Sequence, residues 1–596
     1  MMVLFVAISL VYHANQNFSY DQTQMLLKGF HAVFNNEYLP FGNEASSMGN
    51  IPGCISSWVI GFPLELYVGV ESIIAFQMVL RIAAILIFAN ALSLLFGRSI
   101  VMLGTFLFAL GPWYLYHTMI YNPAYIHFGS AIVLNCLIRL RAGRYAKNKG
   151  SVGAIGRIFS SLFLVLAVGF ILQLHYSWTV VAAICGILWL RRDIKVSYIG
   201  VFLGLALFAW SMLPYFQEIM VNKTLLNNPE VYAQDRYIGY GLTHVYPIFK
   251  GILYWLRFGS LLITNKAIFP SPYVGDLSTL WTVLSYFWVV IAYLIGSVSV
   301  LFSAYSNYFA IYKFRLGNSS ERLQFVRALT LSSLLAVILA SAASPVTLNF
   351  WQVSVVLPFA LMPILAMLSL RSQSIKLYFW VALLFFAVAN PIAALCSDKF
   401  YYKNNLDEGV YSNCLIAFTK DQCAPYAKSL TPEQKQKIEE QHPTINQNVI
   451  NRVIKGIIPS PQMQLVEEPS VALDTKESGD SSAPVVVEQV NNDGGSSGNL
   501  ELHPSGSDST SIEMVENSQA TYGSLNIDSS VSKANAPIYG SLGPDGSKPY
   551  DPEYAKKAAP SQAQPSQGAE KENGSNAKER VRVDSGNGQS GQIILQ

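Results

Sequence analysis

Apolar runs of near-bilayer length recur from the amino terminus to Cys396, and they decide what this chain can fold into. A helix needs about 20 mostly apolar residues to cross the hydrocarbon core. The runs fall at 1–12, 72–95, 99–118, 120–138, 159–176, 178–190, 196–213, 277–304, 328–343, 350–369 and 377–396. They predict an all-α integral membrane fold with about 11 transmembrane helices and two long outside loops, 13–71 and 214–276. The first run is short and opens on Met-Met with no basic flank. It fits a helix truncated by a late start codon better than a signal peptide, because it has neither a charged n-region nor an Ala-x-Ala site.

Charge is scarce and unevenly placed. Only 13% of the 596 residues are charged, about half the ~25% usual in soluble chains. The net charge of +3 divides into +12 over residues 1–396 and −9 over 397–596. That excludes a single soluble domain, a nucleic-acid binder with a basic face and a small disulfide scaffold. Of the 23 Lys and Arg residues before 397, 16 lie in alternate short loops, from Arg98 through the Arg139–Arg157 and Arg191–Lys195 groups to Lys376. The positive-inside rule assigns those loops to the cytoplasm. The amino terminus is then cytoplasmic, and everything after Cys396 lies outside.

Three parts follow: a membrane domain over 1–396, an extracytoplasmic juxtamembrane segment over 397–455, and an acidic tail over 456–596. The tail is rich in Ser, Gly, Asn, Pro and acids and almost free of aromatics, so it is expected to be disordered. Its repeat, Tyr522-Gly523-Ser524-Leu525 and Tyr539-Gly540-Ser541-Leu542, reads as compositional chance before it reads as a docking motif. In the juxtamembrane segment, Thr431-Pro432-Glu433-Gln434 is a helix-start signature, predicting a short helix to about Gln441. Cys414 and Cys423, nine residues apart on the oxidising side, are a disulfide candidate. Cys136 and Cys185 fall in apolar spans and read as small core hydrophobes.

No Walker loop, metalloprotease motif or nucleophile elbow is present, so the soluble NTPase and hydrolase mechanisms lack support. The candidates for chemistry are polar residues near the outer face. Asp21 follows the first span, where partial desolvation would make a carboxylate a better base; as an ordinary residue it would be a helix N-cap. Arg81 lies inside a span, where a cation needs a partner: a phosphate, or a carboxylate such as Glu65 or Glu71. The outer turns Trp113–Pro123 and Gln173–Trp178 mix aromatics with His117, Tyr121, Asn122, Gln173 and His175. That composition suits sugar stacking and equally an interfacial aromatic belt. Lys28 in the first outside loop, and Arg236 and Arg257 in the second, could hold a lipid-linked phosphate or simply meet anionic head groups.

These segments, in this order, resemble the GT-C type polytopic glycosyltransferases, specifically glycosyltransferase family 39-like proteins such as protein O-mannosyltransferases and lipid A aminoarabinose transferases. Tyr20-Asp21-Gln22 is similar to the acidic motif of the family's first outside loop. Leu80-Arg81-Ile82 through Leu95-Phe96-Gly97-Arg98 is similar to its second-helix pattern. Phe108-Ala109-Leu110-Gly111-Pro112-Trp113 with Tyr121-Asn122-Pro123 resembles its "Ala-x-x-Pro-Trp … Trp-Asn-Pro" segment, and Leu172–Ser177 and Leu213-Pro214-Tyr215 match further signatures. The resemblance spans roughly 15–370. It implies a polyprenyl-phosphate sugar donor, a lipid, glycan or protein acceptor, transfer on the outer face of a bacterial inner membrane, and Asp21 as catalytic base. Inverting attack in line on the anomeric carbon suits that layout. Gln22 stands where the family usually has a second acid, so neither a second carboxylate nor a divalent metal is supported by motif; no cofactor is expected. Glu37, Glu44, Glu65 and Glu71 stay unassigned. The alternatives are a transporter or lipid flippase, which would need paired half-repeats around a midplane site, and a degenerate relative acting as a membrane scaffold.

Overall fold

The computed structural model describes residues 1–14, 16, 18, 20–45, 49–145, 153–226, 238, 245–261, 278–314, 319–371, 373–396 and 406–457. All of them belong to the compact unit Met1–Gly540. The acidic tail from 458 with its repeat, Arg236 and much of the 214–276 loop lie outside the described residues.

Each expected span carries a helix. In chain order the first eleven helices and the one hairpin are α1 (Met2–Ala14), α2 (Tyr20–Asn35), β1 (Phe41–Glu44), β2 (Asn50–Pro52), α3 (Ile55–Leu66), α4 (Val70–Ser93), α5 (Arg98–Leu110), α6 (Pro112–Tyr116), α7 (Asn122–Arg139), α8 (Ala154–Leu172), α9 (Trp178–Leu190), α10 (Tyr198–Val221) and α11 (Val245–Phe258). There follow α12 (Ser278–Lys313), α13 (Glu321–Ala342), α14 (Phe350–Val353), α15 (Leu357–Ser369) and α16 (Gln373–Cys396). Among the described residues, seven helical stretches are long and apolar enough to cross a membrane. The protein is an integral membrane protein.

The helices differ in what surrounds them. In the stretch Phe350–Ser369, 89% of the most apolar window is buried, against 22% in α10 and in α12. Helix α15 is therefore enclosed by its neighbours on nearly every side. Phe202 and Trp210 of α10, and Phe287, Leu294 and Leu301 of α12, are exposed. Apolar faces of that extent have no place in water and are what lipid contact requires.

The first outside loop is not a loop. It folds into α2, the antiparallel β1–β2 hairpin and α3. Its many polar residues hid this, since they break the long apolar pattern that marks a span. After the last membrane helix comes a helical cap: α17 (Leu406–Leu415), α18 (Lys420–Cys423), α19 (Pro432–Gln441) and the turns through Ile454. Helix α19 starts on a capping box between Thr431 and Gln434. Cys414 and Cys423, both fully buried, are joined by a disulfide.

The cap sits on α2. Phe30 packs against Phe418 and Tyr426, with ring centroids 6.2 and 4.8 Å apart, and Thr23 hydrogen bonds to Asn413. Two pieces that touch must lie on one side of the bilayer. The chain therefore crosses an even number of times between α3 and α17, a parity that the ten expected spans after residue 71 satisfy. A bridge over so short a loop is worth about 2–3 kcal/mol by the chain-entropy model. Cys414→Ser with Cys423→Ser should lower cap stability by that amount, measured as faster amide exchange confined to 406–457. Unchanged exchange would show that packing on α2 alone holds the cap.

At one end of the bundle the basic loops meet. Lys195 N donates to Leu140 O (2.8 Å) and Ala142 N to Asp193 O (2.9 Å). The fully buried Asp193 carboxylate takes Arg144, Arg191 (2.8 Å) and the Tyr145 hydroxyl (2.6 Å). Helix α7 carries Asn122 at its start and Arg139 at its end, 18 residues apart inclusive, or about 27 Å at 1.5 Å per residue. The outer-face candidates and the basic loops thus occupy opposite ends of the same helices.

Candidate functional site

Three parts of the sequence converge at the Asp21 end: the start of α2, the break between α5 and α7, and the turn between α8 and α9. The break has a local cause. Pro112 has no N–H to continue the α5 ladder, and a Cβ at Gly111 would lie 2.3 Å from Leu107 O. The chain leaves its helical path there, makes the single turn α6, and restarts at Asn122-Pro123.

Amides hold the pieces together. Gln77 Nε2 donates to Met119 O (2.8 Å), and Gln16 Oε1 accepts from Ile120 N (2.8 Å). Asn122 Nδ2 donates to Leu174 O (2.9 Å), and Gln173 Nε2 to Ser211 Oγ (3.2 Å). Gly53, at φ +92°, packs where any side chain would meet Gln173 within 2.3 Å. Its backbone conformation also favours glycine.

Asp21 is in the first turn of α2, half-buried, rather than capping the helix. Its carbonyl accepts from Asn43 Nδ2 (3.0 Å) of the hairpin. Gln22 is buried and turns its amide to Met119 Sδ (3.8 Å). A carboxylate at position 22 would be buried against a thioether, which is why a neutral amide is accommodated there. Glu44, left unassigned in the sequence, proves central: it accepts from Tyr20 Oη (3.3 Å) and from Arg452 Nε (2.6 Å). Lys28 is fully buried, its Nζ 5.2 Å from the centroid of the Phe41 ring and without a hydrogen-bond partner among the described residues. Burial pulls its ammonium down to about 7, against a smaller opposing pull from Glu44.

Arg81 contacts no carboxylate. Its guanidinium donates to the carbonyls of Tyr114 (2.6 Å) and His117 and lies 4.3 Å from the Tyr114 ring centroid. The Tyr114 hydroxyl returns a bond to Arg81 O (2.9 Å). Neither Glu65 nor Glu71 is its partner, because the broken backbone at 111–117 supplies carbonyl acceptors that only the fold creates. The aromatic turn is likewise interior. Trp113, Tyr114, Tyr116 and His117 are buried; Trp113, Tyr116 and His117 pack on Phe350, Trp113 also on Phe258, and Tyr114 on Phe108. They form neither an open sugar-stacking surface nor an interfacial belt. His117 Nδ1 is hydrogen bonded to Tyr121 Oη. His175 Nδ1 accepts from Ser177 N (3.1 Å).

Arg257, near the end of α11, stands apart from Asp21's amide network. Its guanidinium carbon is 5.2 Å from the Trp113 ring centroid. Trp113 also lines a narrow, mostly apolar crevice of about 10 Å³ with Leu107, Phe258, Leu261, Leu357 and Phe379, among others. Among the described residues no group of three His, Cys, Asp or Glu side chains is placed to hold a metal ion.

Fold and site together define a polytopic helical membrane protein in which the half-buried Asp21 and a C-terminal helical cap meet at one end of the bundle. No family model matches the sequence, and no curated protein is similar to it. Among solved structures the chain is similar to the archaeal oligosaccharyltransferase AglB from Archaeoglobus fulgidus, solved with an inhibitory peptide and a dolichol-phosphate. That match has a TM-score of 0.37 and 11% identity, over 74% of this chain and 59% of AglB. This chain thus spans well under two thirds of AglB's length. It is also similar to ArnT from Cupriavidus metallidurans bound to undecaprenyl phosphate, with a TM-score of 0.33 and 13% identity, over 72% of this chain and 88% of ArnT.

Proposed function

We propose that the chain is a membrane glycosyltransferase of the GT-C type. It moves a sugar from a polyprenyl-phosphate carrier to an acceptor hydroxyl or amine on the outer face of a bacterial inner membrane. The observation that carries this reading is Asp21: a half-buried carboxylate at the start of an outside helix, at the end of the bundle opposite the basic loops. In the reaction Asp21 takes the acceptor's proton as the acceptor attacks the anomeric carbon. The C1–O bond to phosphate breaks from the opposite face, so the configuration inverts. The bonding electrons leave on polyprenyl phosphate, whose growing charge needs a cation. Arg257, over the Trp113 ring, is one cation offered to that group. Lys28 is the second cation offered to that group, at the Asp21 helix. Arg81 we assign to holding the 111–117 turn, since its Nη1 and Nη2 donate to the carbonyls of His117 and Tyr114.

The test is mass spectrometry of envelope glycans and lipids from cells with and without the gene. One sugar modification should disappear on deletion and return with the wild-type gene. An envelope unchanged by deletion, under conditions where the protein is produced, would remove the proposal.

A further inference from the structure

Among the described residues, two buried hydrogen-bond donors on one face of α2 have nothing to donate to. They are Lys28 Nζ and Gln24 Nε2, one helical turn apart. The Gln24 amide is not free to turn, because its Oε1 accepts from the Glu44 N–H at 2.9 Å; its NH₂ group is held facing away from that bond. A buried cation is costly unless an anion meets it. Glu44 is the carboxylate close enough for its charge to act on Lys28, yet no hydrogen bond joins them. Both Glu44 oxygens are engaged elsewhere, Oε1 by Arg452 Nε at 2.6 Å and Oε2 by Tyr20 Oη at 3.3 Å. The Glu44–Arg452 ion pair is itself largely buried, with side chains 4% and 17% exposed, so solvent screens it little.

We infer that Arg452, brought by the C-terminal cap, occupies Glu44 so that Lys28 and Gln24 stay open as a donor pair for the phosphate of the lipid carrier. This rests on the donor class proposed above. Arg452 is thus a positioning residue. It touches no reacting atom, and it keeps an internal carboxylate from neutralising the lysine that the ligand needs. Burial disfavours the charge on Lys28, and a bound phosphate would favour it.

The test measures binding of undecaprenyl monophosphate to the full-length protein in nanodiscs by native mass spectrometry, with inorganic phosphate as competitor. Lys28→Gln should weaken binding about tenfold, and Arg452→Gln by a similar factor although Lys28 is intact, in keeping with the loss of one charge-assisted contact. The double variant Arg452→Gln/Glu44→Gln should recover to within about twofold of wild type, because no carboxylate remains to quench the lysine. A merely structural Arg452 would leave the double variant as weak as the single one. Displacement of the lipid by inorganic phosphate in the wild type, reduced in Lys28→Gln, ties the effect to the phosphate group rather than to the tail. Wild-type binding with an unaffected Arg452→Gln variant, or a double variant that does not recover, overturns the inference and leaves the proposed reaction standing. Failure of the wild type to bind the lipid at all removes both.

Discussion

Asp21→Asn is expected to reduce sugar transfer by about 10²–10⁴-fold, the range over which general base catalysis contributes, while the protein remains inserted and folded. The substitution is nearly isosteric. It keeps the backbone carbonyl that Asn43 Nδ2 contacts, and it leaves untouched the packing of α2 on the cap through Phe30. What it removes is the capacity to hold a proton. The readout is turnover in purified membranes alongside a folding control, such as the melting temperature in detergent. With a general base the loss should fall on kcat, with KM for the donor little changed, because the carboxylate acts on the acceptor's proton in the transition state. Asp21→Glu should recover part of the activity. Full activity in Asp21→Asn would move the base elsewhere, and Glu44 would not inherit the role while both its oxygens stay committed.

The second large effect is structural. Arg81→Met should cost about 2–6 kcal/mol, since each buried carbonyl left without its donor costs about 1–3 kcal/mol. Two buried carbonyls, of Tyr114 and His117, lose their donor, and the ring of Tyr114 loses the cation beside it. Arg81→Lys should lose less in charge but still fail to serve both carbonyls, since a single ammonium lacks the planar fork that reaches two acceptors. The measurement is the melting temperature together with the amount of protein that reaches the membrane. A fully stable Arg81→Met protein that no longer binds polyprenyl phosphate would return Arg81 to the ligand and take the turn away from it.

How much of this was legible in the sequence depended on the range over which the information lies. The membrane helices were readable because a span is a local property: twenty apolar residues suffice, whatever they pack against. The break at Gly111-Pro112 was not read, although Pro112 lacks the N–H a continuing helix needs: the apolar run 99–118 passes through it, and the structure ends α5 at Leu110. The partners of Arg81 were not readable. Its acceptors are backbone carbonyls, which every residue has, and only the path of the chain through 111–117 makes two of them available. The fold of 13–71 was missed because its short strands and polar helix faces carry neither a long apolar period nor a strict alternation. Arg452 was invisible at the site. Nothing in its surroundings marks it, and its partner Glu44 lies 408 residues earlier.

That separation sets a timetable for assembly. At roughly 5–20 residues per second, Arg452 leaves the ribosome about 20 to 80 s after Glu44 has been made. In that interval Phe30 and Phe34 of α2, which end up against Phe418 and Tyr426, have no cover. The apolar face of α2 is then a natural client for a chaperone or the membrane surface. A chain whose synthesis stops before the cap would carry every membrane helix and still lack Arg452 beside Glu44, so competence arrives only with the cap.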